Sequence, residues 1–172
     1  MDKELLYKKC VSFHGHECGG LMIGFRAALL AMELLEIEAP AKDEETVCIA
    51  ENDACGVDAV QALLGCTAGK GNLIIDRRGK QAFTFFNRIN GKSCRLVLKE
   101  HAFASREEKR NFMSTAPGED IFEVQEAAVT PPPQAEIYRS QKCAACGETT
   151  AEPWLRVRDG KLLCTGCFEK ER

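Results

Sequence analysis

The sequence has no long apolar run and no large excess of charge of either sign. Its 172 residues carry a formal net charge of −3, with a pI near 5.7. Charges recur every few positions among the first ten residues, which argues against an export signal, and no stretch approaches the roughly 18 apolar residues of a membrane span. We therefore expect a soluble, cytoplasmic protein with no membrane partner. The nearly balanced charge gives no general reason to expect DNA or RNA as a partner.

Cysteine, in contrast, is abundant. Ten cysteines in a chain expected in the cytosol indicate metal ligands, reactive thiols or buried small apolar side chains rather than disulfides, because the cytosol keeps thiols reduced. Cys10, Cys48 and Cys94 lie in apolar stretches typical of helices or strands, which predicts that their side chains are buried.

Apolar spacing and turn residues predict a mixed α and β core. Helices are expected at about 2–11, 21–37, 55–65 and 105–117, and strands at 46–50, 73–75, 82–89, 93–98 and 121–129. Asn90-Gly91 is typical of a two-residue β-hairpin turn. The stretch from Phe13 to Gly20 is glycine-rich and predicts a loop. The prolines of Thr130-Pro131-Pro132-Pro133 cannot continue a sheet, so we place a linker within 130–142 and domains at 1–135 and 136–172.

Two CxxC pairs in the second domain predict a metal site. Cys143 and Cys146 are separated from Cys164 and Cys167 by 17 residues, a spacing typical of four-cysteine zinc sites. The turn residues Asp159-Gly160 predict a hairpin that returns the chain to the first pair, followed by a short helix over 168–172, as in treble-clef and zinc-ribbon domains. Such a short segment cannot bury enough apolar surface, so Zn²⁺ would contribute roughly 10–16 kcal/mol to its folding. A rubredoxin-type iron centre or a pair of redox CxxC motifs is the alternative.

The charge of this finger bears on its partner. Between 140 and 172 there are six basic and five acidic side chains, and four thiolates on one Zn²⁺ would add two negative charges. A phosphate-binding finger usually has a clearer basic excess, so docking to protein is favoured over binding to nucleic acid, which stays the alternative.

A second group of ligand-type residues lies in the predicted glycine-rich loop. His14, His16 and Cys18 stand at alternating positions, a spacing that lets their side chains converge on one ion, although a polar surface loop explains them equally. Cys55 begins a predicted helix, where thiol pKa values fall. Asp58 and other carboxylates nearby oppose that fall, so Cys55 is as readily a packed helix residue as a reactive one.

Three segments together resemble the FmdE-like family, which takes its name from a component of formylmethanofuran dehydrogenase. They are FHGHECGGLMIGFRAALLAMELL, ENDACGVDAVQALLGCTAGKGN and KQAFTFFNRINGKSCRLVL. The HGHxC loop, the ENDACxxDAxQ helix start and the GCTxGKGN loop follow one another in the family's order. Gly19, where the family often has proline, and Ala68, where it often has an aromatic residue, are departures that remove no candidate ligand.

The resemblance implies an α+β core, with helices packed on an antiparallel sheet, that forms a homodimer. It also implies a pocket for a second transition metal, built from matching positions and suited by its N and S donors to zinc, nickel or iron. Those positions are His14, His16, Cys18, Cys55 and Asp58. Some members carry a zinc finger as this chain does. In the namesake complex, the molybdenum or tungsten chemistry resides in other subunits.

Three functions follow as hypotheses. The first is a metal-binding accessory protein of formylmethanofuran dehydrogenase or related molybdenum or tungsten oxidoreductases, whose finger docks to a partner protein. The second is a free-standing enzyme in which Cys55, or water on the pocket metal, acts on a one-carbon or pterin-like substrate. The third is a metal-responsive regulator that binds nucleic acid through the finger.

Overall fold

The computed structural model describes residues 2–38 and 40–170, which form two compact units, Met1–Gln134 and Ala135–Arg172. The helices are α1 (Lys3–His14), α2 (Gly19–Leu34), α3 (Gly56–Leu64), α4 (Arg106–Thr115), α5 (Gly118–Ile121) and α6 (Thr165–Lys170). The strands of the first unit are β1 (Thr46–Ala50), β2 (Leu73–Ile75), β3 (Ala82–Asn87), β4 (Ser93–Leu98) and β5 (Phe122–Gln125). Those of the second are β6 (Ser140–Lys142), β7 (Thr149–Ala151), β8 (Leu155–Arg158) and β9 (Lys161–Cys164). No helix within these described ranges combines the length and apolarity that a membrane crossing requires.

The first unit is an α+β domain, as predicted. Its five strands are ordered β2-β1-β3-β4-β5, and every neighbouring pair is antiparallel except β1 with β2. Those two strands are parallel because α3 carries the chain from one to the other, and a parallel pair needs such a crossover. The core between helices and sheet includes fully buried Phe83, Phe85 and Leu96. Cys10, Cys48 and Cys94 are buried, which confirms their predicted place.

The β3–β4 hairpin is present, but its predicted two-residue turn is wrong. The strands end at Asn87 and resume at Ser93, and Gly91 supplies a left-handed φ of 74° inside the longer connection. Tertiary hydrogen bonds favour this longer loop, because the side-chain amides of Asn87 and Asn90 both donate to the Leu35 carbonyl, at 2.9 and 3.0 Å. If β3 and β4 paired as far as Asn90, these two hydrogen bonds to the Leu35 carbonyl would be lost.

The second unit contains two small antiparallel pairs, β6 with β7 and β8 with β9. Asp159 and Gly160 connect β8 to β9 with φ angles of 48° and 71°. Two positive φ values in succession are typical of a type I′ turn, so the predicted hairpin is confirmed. The helix that follows begins at Thr165, earlier than predicted, and the last two residues of its predicted range, 171 and 172, lie outside the described residues.

Candidate metal centres

The second unit brings the four predicted cysteines together. Cys143 and Cys146 occupy the loop between β6 and β7, Cys164 ends β9, and Cys167 lies in the first turn of α6. The four sulfur atoms all lie within 4.8 Å of one another. Zinc–sulfur bonds of about 2.3 Å in a tetrahedron place sulfurs roughly 3.8 Å apart, a separation that lies within this limit.

Backbone amides stabilise the thiolate form of a cysteine in this cluster. The Cys164 amide donates to the Cys143 sulfur at 3.3 Å. Hydrogen bonds from the Cys146 and Cys164 amides lower the pKa of the Cys143 thiol to about 6. Hydrogen bonds with Cys164 and then Cys146 raise the pKa of Cys167 to about 12, because four sulfurs this close cannot all ionise without a cation. The donor set therefore fits a zinc ion with four protein ligands and no free coordination position.

The predicted core cluster lies where α1 ends and α2 begins. Its loop is shorter than predicted, because α1 continues through His14 until Gly15, whose φ of 93° closes the helix with a bond from its amide to the Val11 carbonyl. Cys18 then caps α2 by accepting a hydrogen bond from the Leu21 amide at 3.2 Å. The two helix ends therefore place His14, His16 and Cys18 in one sharp corner of the chain.

Three side chains of this corner lie close enough together to share one ion. One ligand atom from each of His14, His16 and Cys18 can be chosen so that all lie within 4.8 Å of one another. The imidazole rings of His14 and His16 have centroids 4.5 Å apart, and the Cys18 sulfur is 3.8 Å from Nε2 of His14. An imidazole and a thiolate together suit zinc and other borderline-soft transition metals.

Asp58 lies on the opposite nitrogen of His14. Its Oδ2 is 2.7 Å from His14 Nδ1, and its Oδ1 accepts a hydrogen bond from the side-chain Nε2 of Gln61 at 3.1 Å. The hydrogen bond to Asp58 raises the pKa of His14. The sequence did not single out Gln61, although its position three residues after Asp58 places both on one face of α3. This contact leaves Nε2 of His14 directed to the cluster.

Cys55 immediately precedes α3 and its thiol forms a hydrogen bond with that of Cys18. That bond, together with burial, raises the pKa of Cys55. Burial opposes ionisation of Cys18, but the Leu21 amide, the Cys55 thiol and His14 outweigh it, so the pKa of Cys18 is lowered. Of the two, Cys18 is therefore the thiol that ionises more readily. Cys55 is beside the cluster rather than within the group of three.

Close packing of two helices holds the parts of this cluster together. A Cβ atom on Gly24 of α2 would lie 1.9 Å from the Gly56 carbonyl oxygen of α3, and one on Gly20 would lie 3.2 Å from Cβ of Cys55. Only glycine permits this approach at Gly24. The backbone contact brings Cys55 and Asp58 on α3 to the corner formed by α1 and α2.

Known proteins share both parts of this chain. A family model described as FmdE, molybdenum formylmethanofuran dehydrogenase operon, matches residues 13–139. The chain belongs to the FmdE family. A model of the prokaryotic DksA/TraR C4-type zinc finger matches residues 136–172, which contain the four-cysteine cluster. This FmdE protein thus combines the family's core with a zinc-finger domain.

Two individual proteins resemble this chain over nearly its full length. A crystal structure of a tungsten formylmethanofuran dehydrogenase FmdE-like protein from Syntrophus aciditrophicus has a TM-score of 0.66 and 25% identity, covering 98% of this chain and 92% of that one. A probable S-adenosyl-L-methionine-binding protein of Archaeoglobus fulgidus is 29% identical over 95% of this chain. The chain spans only about half, 53%, of that relative's length.

Proposed function

We propose that this FmdE protein holds two metal ions, a structural Zn²⁺ in the finger and an exchangeable transition metal in the core. His14, His16 and Cys18 would be the core ligands, which leaves a fourth position to water, a small ligand or the neighbouring Cys55. The observation that carries the proposal is the His14 geometry. A carboxylate on one imidazole nitrogen with a thiol near the other is the arrangement by which proteins orient a metal-binding histidine.

The geometry favours a positioning part for Asp58 rather than a place among the ligands. Both of its carboxylate oxygens already have protein partners, His14 and Gln61. A carboxylate so placed fixes the tautomer of the imidazole and raises its basicity. A metal held by fewer than four protein groups keeps a position for water or for a small ligand, which the four-cysteine cluster lacks.

We propose further that the chain acts as an accessory component of a molybdenum or tungsten oxidoreductase of the formylmethanofuran dehydrogenase type. Membership of the FmdE family and the likeness to the Syntrophus FmdE-like protein support this assignment. The finger would then dock to a partner protein of that complex, since its four ligands leave no position for substrate. A homodimer through the core is also part of this proposal.

Metal analysis of the purified protein tests the two-metal proposal. We expect two metal ions per chain, of which Cys143→Ser removes one and the double change His14→Ala with His16→Ala removes the other. His101→Ala is the matched control, because its Nε2 contacts the Asp120 carbonyl, 3.0 Å away and outside both clusters. One zinc per chain that Cys143→Ser abolishes would refute the core site.

A catalytic Cys55 is the second candidate function. Its place beside the core cluster supports this candidate, whereas the upward shift of its pKa opposes a standing thiolate. Loading the core metal should make Cys55 react with iodoacetamide faster than the buried Cys94 if the thiol is a nucleophile. Protection of Cys55 on loading would identify it as a ligand instead.

Binding of nucleic acid by the finger is the remaining alternative. Retention of labelled single- and double-stranded DNA and RNA on the protein at low ionic strength, falling steeply with added salt, would favour it. The accessory-component proposal predicts no such retention.

A further inference from the structure

A second pocket in the core unit carries a buried positive charge. It lies between α2 and the connection from α4 to α5 and has a volume of about 500 Å³. Arg26 of α2 lines it, although only 7% of that residue is exposed. Leu29, Leu30 and Met32 supply apolar walls. Neither metal centre contributes a ligand to this pocket.

Backbone carbonyls satisfy only part of the Arg26 guanidinium. Its Nη1 donates to the Met113 carbonyl at 2.8 Å, and its Nη2 donates to the Ala116 carbonyl. Within residues 2–38 and 40–170, no carboxylate forms an ion pair with Arg26, and its Nε–H has no protein acceptor. Burial accordingly lowers the pKa of Arg26. A buried charge is costly unless it is paired, and the described residues supply this guanidinium with carbonyl partners but no carboxylate.

The end of α4 explains some of the arrangement but not all of it. The carbonyls of a helix C-terminus carry partial negative charge and favour a nearby cation. They accept one hydrogen bond from Nη1 and one from Nη2, whereas a guanidinium has five N–H donors in a planar fork, so three donors remain for a carboxylate. The pocket that Arg26 lines is the place where such a group reaches it.

The lining selects among anions. The exposed charged side chains of the lining are Lys3, Glu33 and Glu119, which together carry one net negative charge and so disfavour a dianion such as phosphate more than a monoanion. The apolar walls match a hydrocarbon body, and the volume lies in the range of pockets for small organic molecules. A planar carboxylate pairs with guanidinium through two parallel hydrogen bonds.

We propose that this pocket binds a small monocarboxylate with a hydrocarbon body, whose carboxylate pairs with Arg26. The site is independent of the metal-centre proposal, since its residues belong to neither cluster. A core metal that proves absent would leave it standing, and the reverse also holds.

Titration of the full chain with octanoate and with benzoate, followed by NMR, tests the site. We expect a saturable shift of the Arg26 Nε–H resonance, with octan-1-ol and inorganic phosphate producing none. Leu29→Trp fills the pocket from its wall and should weaken octanoate binding by at least roughly tenfold while Arg26 stays in place. Leu34→Trp on the same helix is the control, because Leu34 is half-buried and does not line the pocket.

Arg26→Lys keeps the charge but loses the planar fork, so it should also weaken octanoate binding by at least roughly tenfold. Three outcomes overturn the proposal. They are no saturable shift at octanoate concentrations well above about 1 mM, equal shifts with octan-1-ol, and unchanged affinity in Leu29→Trp.

Discussion

The finger and the core of this protein both gather cysteines, but they differ in what folds around them. Within the described part of the finger, Cys143 and Leu163 are the buried apolar residues, at 2% and 4% exposure. The core unit buries a large apolar cluster that includes Phe83 and Phe85. The four-cysteine cluster is therefore the centre of the finger's fold, whereas His14, His16 and Cys18 lie on a scaffold whose own apolar core stabilises it. In our proposal, a metal stabilises the fold of the finger, whereas the metal in the core keeps an open coordination position.

Removal of zinc should reveal the largest difference in stability between the finger and the core. Chelation, or Cys143→Ser, is expected to unfold the finger, since zinc contributes roughly 10–16 kcal/mol to domains of this kind. Trp154 is the single tryptophan of the chain, so its fluorescence follows the finger alone. Amide resonances of β3 and β4 follow the core and should not change. Native finger resonances that persist after complete zinc removal would show that this comparison is wrong.

The core should instead depend on a buried ion pair. Arg95 donates to both carboxylate oxygens of Glu51, at 2.6 and 3.0 Å, and the Glu51 side chain is only 8% exposed. Glu51→Gln is expected to lower the free energy of unfolding of the core by about 3 kcal/mol, measured by urea denaturation. Asp53→Asn is the control, because the Asp53–Arg77 pair is exposed and should contribute less than about 1 kcal/mol.

The pH dependence of stability provides a second test of the Glu51–Arg95 ion pair. The hydrogen bond from Arg95 lowers the pKa of Glu51 in the folded protein. Its contribution is therefore complete above the unfolded pKa of about 4.3 and is lost as the pH falls through the lower folded value. The difference in stability between the native protein and Glu51→Gln should shrink as the pH falls from 6 toward 3. A difference that grows would contradict the ion pair.

Helix packing in the core allows a matched pair of glycine substitutions in α2. Gly24→Ala places a Cβ 1.9 Å from the Gly56 carbonyl, whereas a Cβ on Gly19 meets no atom within 4 Å. Gly24→Ala should cost about 1–3 kcal/mol of core stability and weaken core metal binding, because α3 must move away from α2. Gly19→Ala should leave both unchanged. Equal thermal melting of the two variants would contradict the close packing.

The four-cysteine cluster and most elements were predictable from the sequence because they depend on local spacing. The two CxxC pairs and the turn at Asp159-Gly160 determine the finger within a few dozen residues. The sequence did not predict that Asp58 forms a hydrogen bond with His14. The two residues are 44 positions apart, and their contact depends on the packing of α3 against α1. The parallel pairing of β1 with β2 and the longer β3–β4 turn likewise depend on tertiary contacts.

Asp58 gives the finest test of how the core site differs from the finger. The family resemblance implies that Asp58 is a ligand, whereas its hydrogen bond to His14 Nδ1 favours a positioning part instead. Asp58→Asn should weaken core metal affinity by about 10–100-fold, measured by competition with a chelating dye, because the imidazole loses its charged partner. Finger zinc should be unaffected, and Asp53→Asn should change neither metal. Complete loss of core metal, as in His14→Ala, would restore Asp58 to the ligands; unchanged affinity would mean that His14 needs no orienting carboxylate. Only an intermediate loss of affinity fits a core site in which Asp58 orients the ligand His14. The four cysteines of the finger need no such side chain, because backbone amides donate to their sulfur atoms.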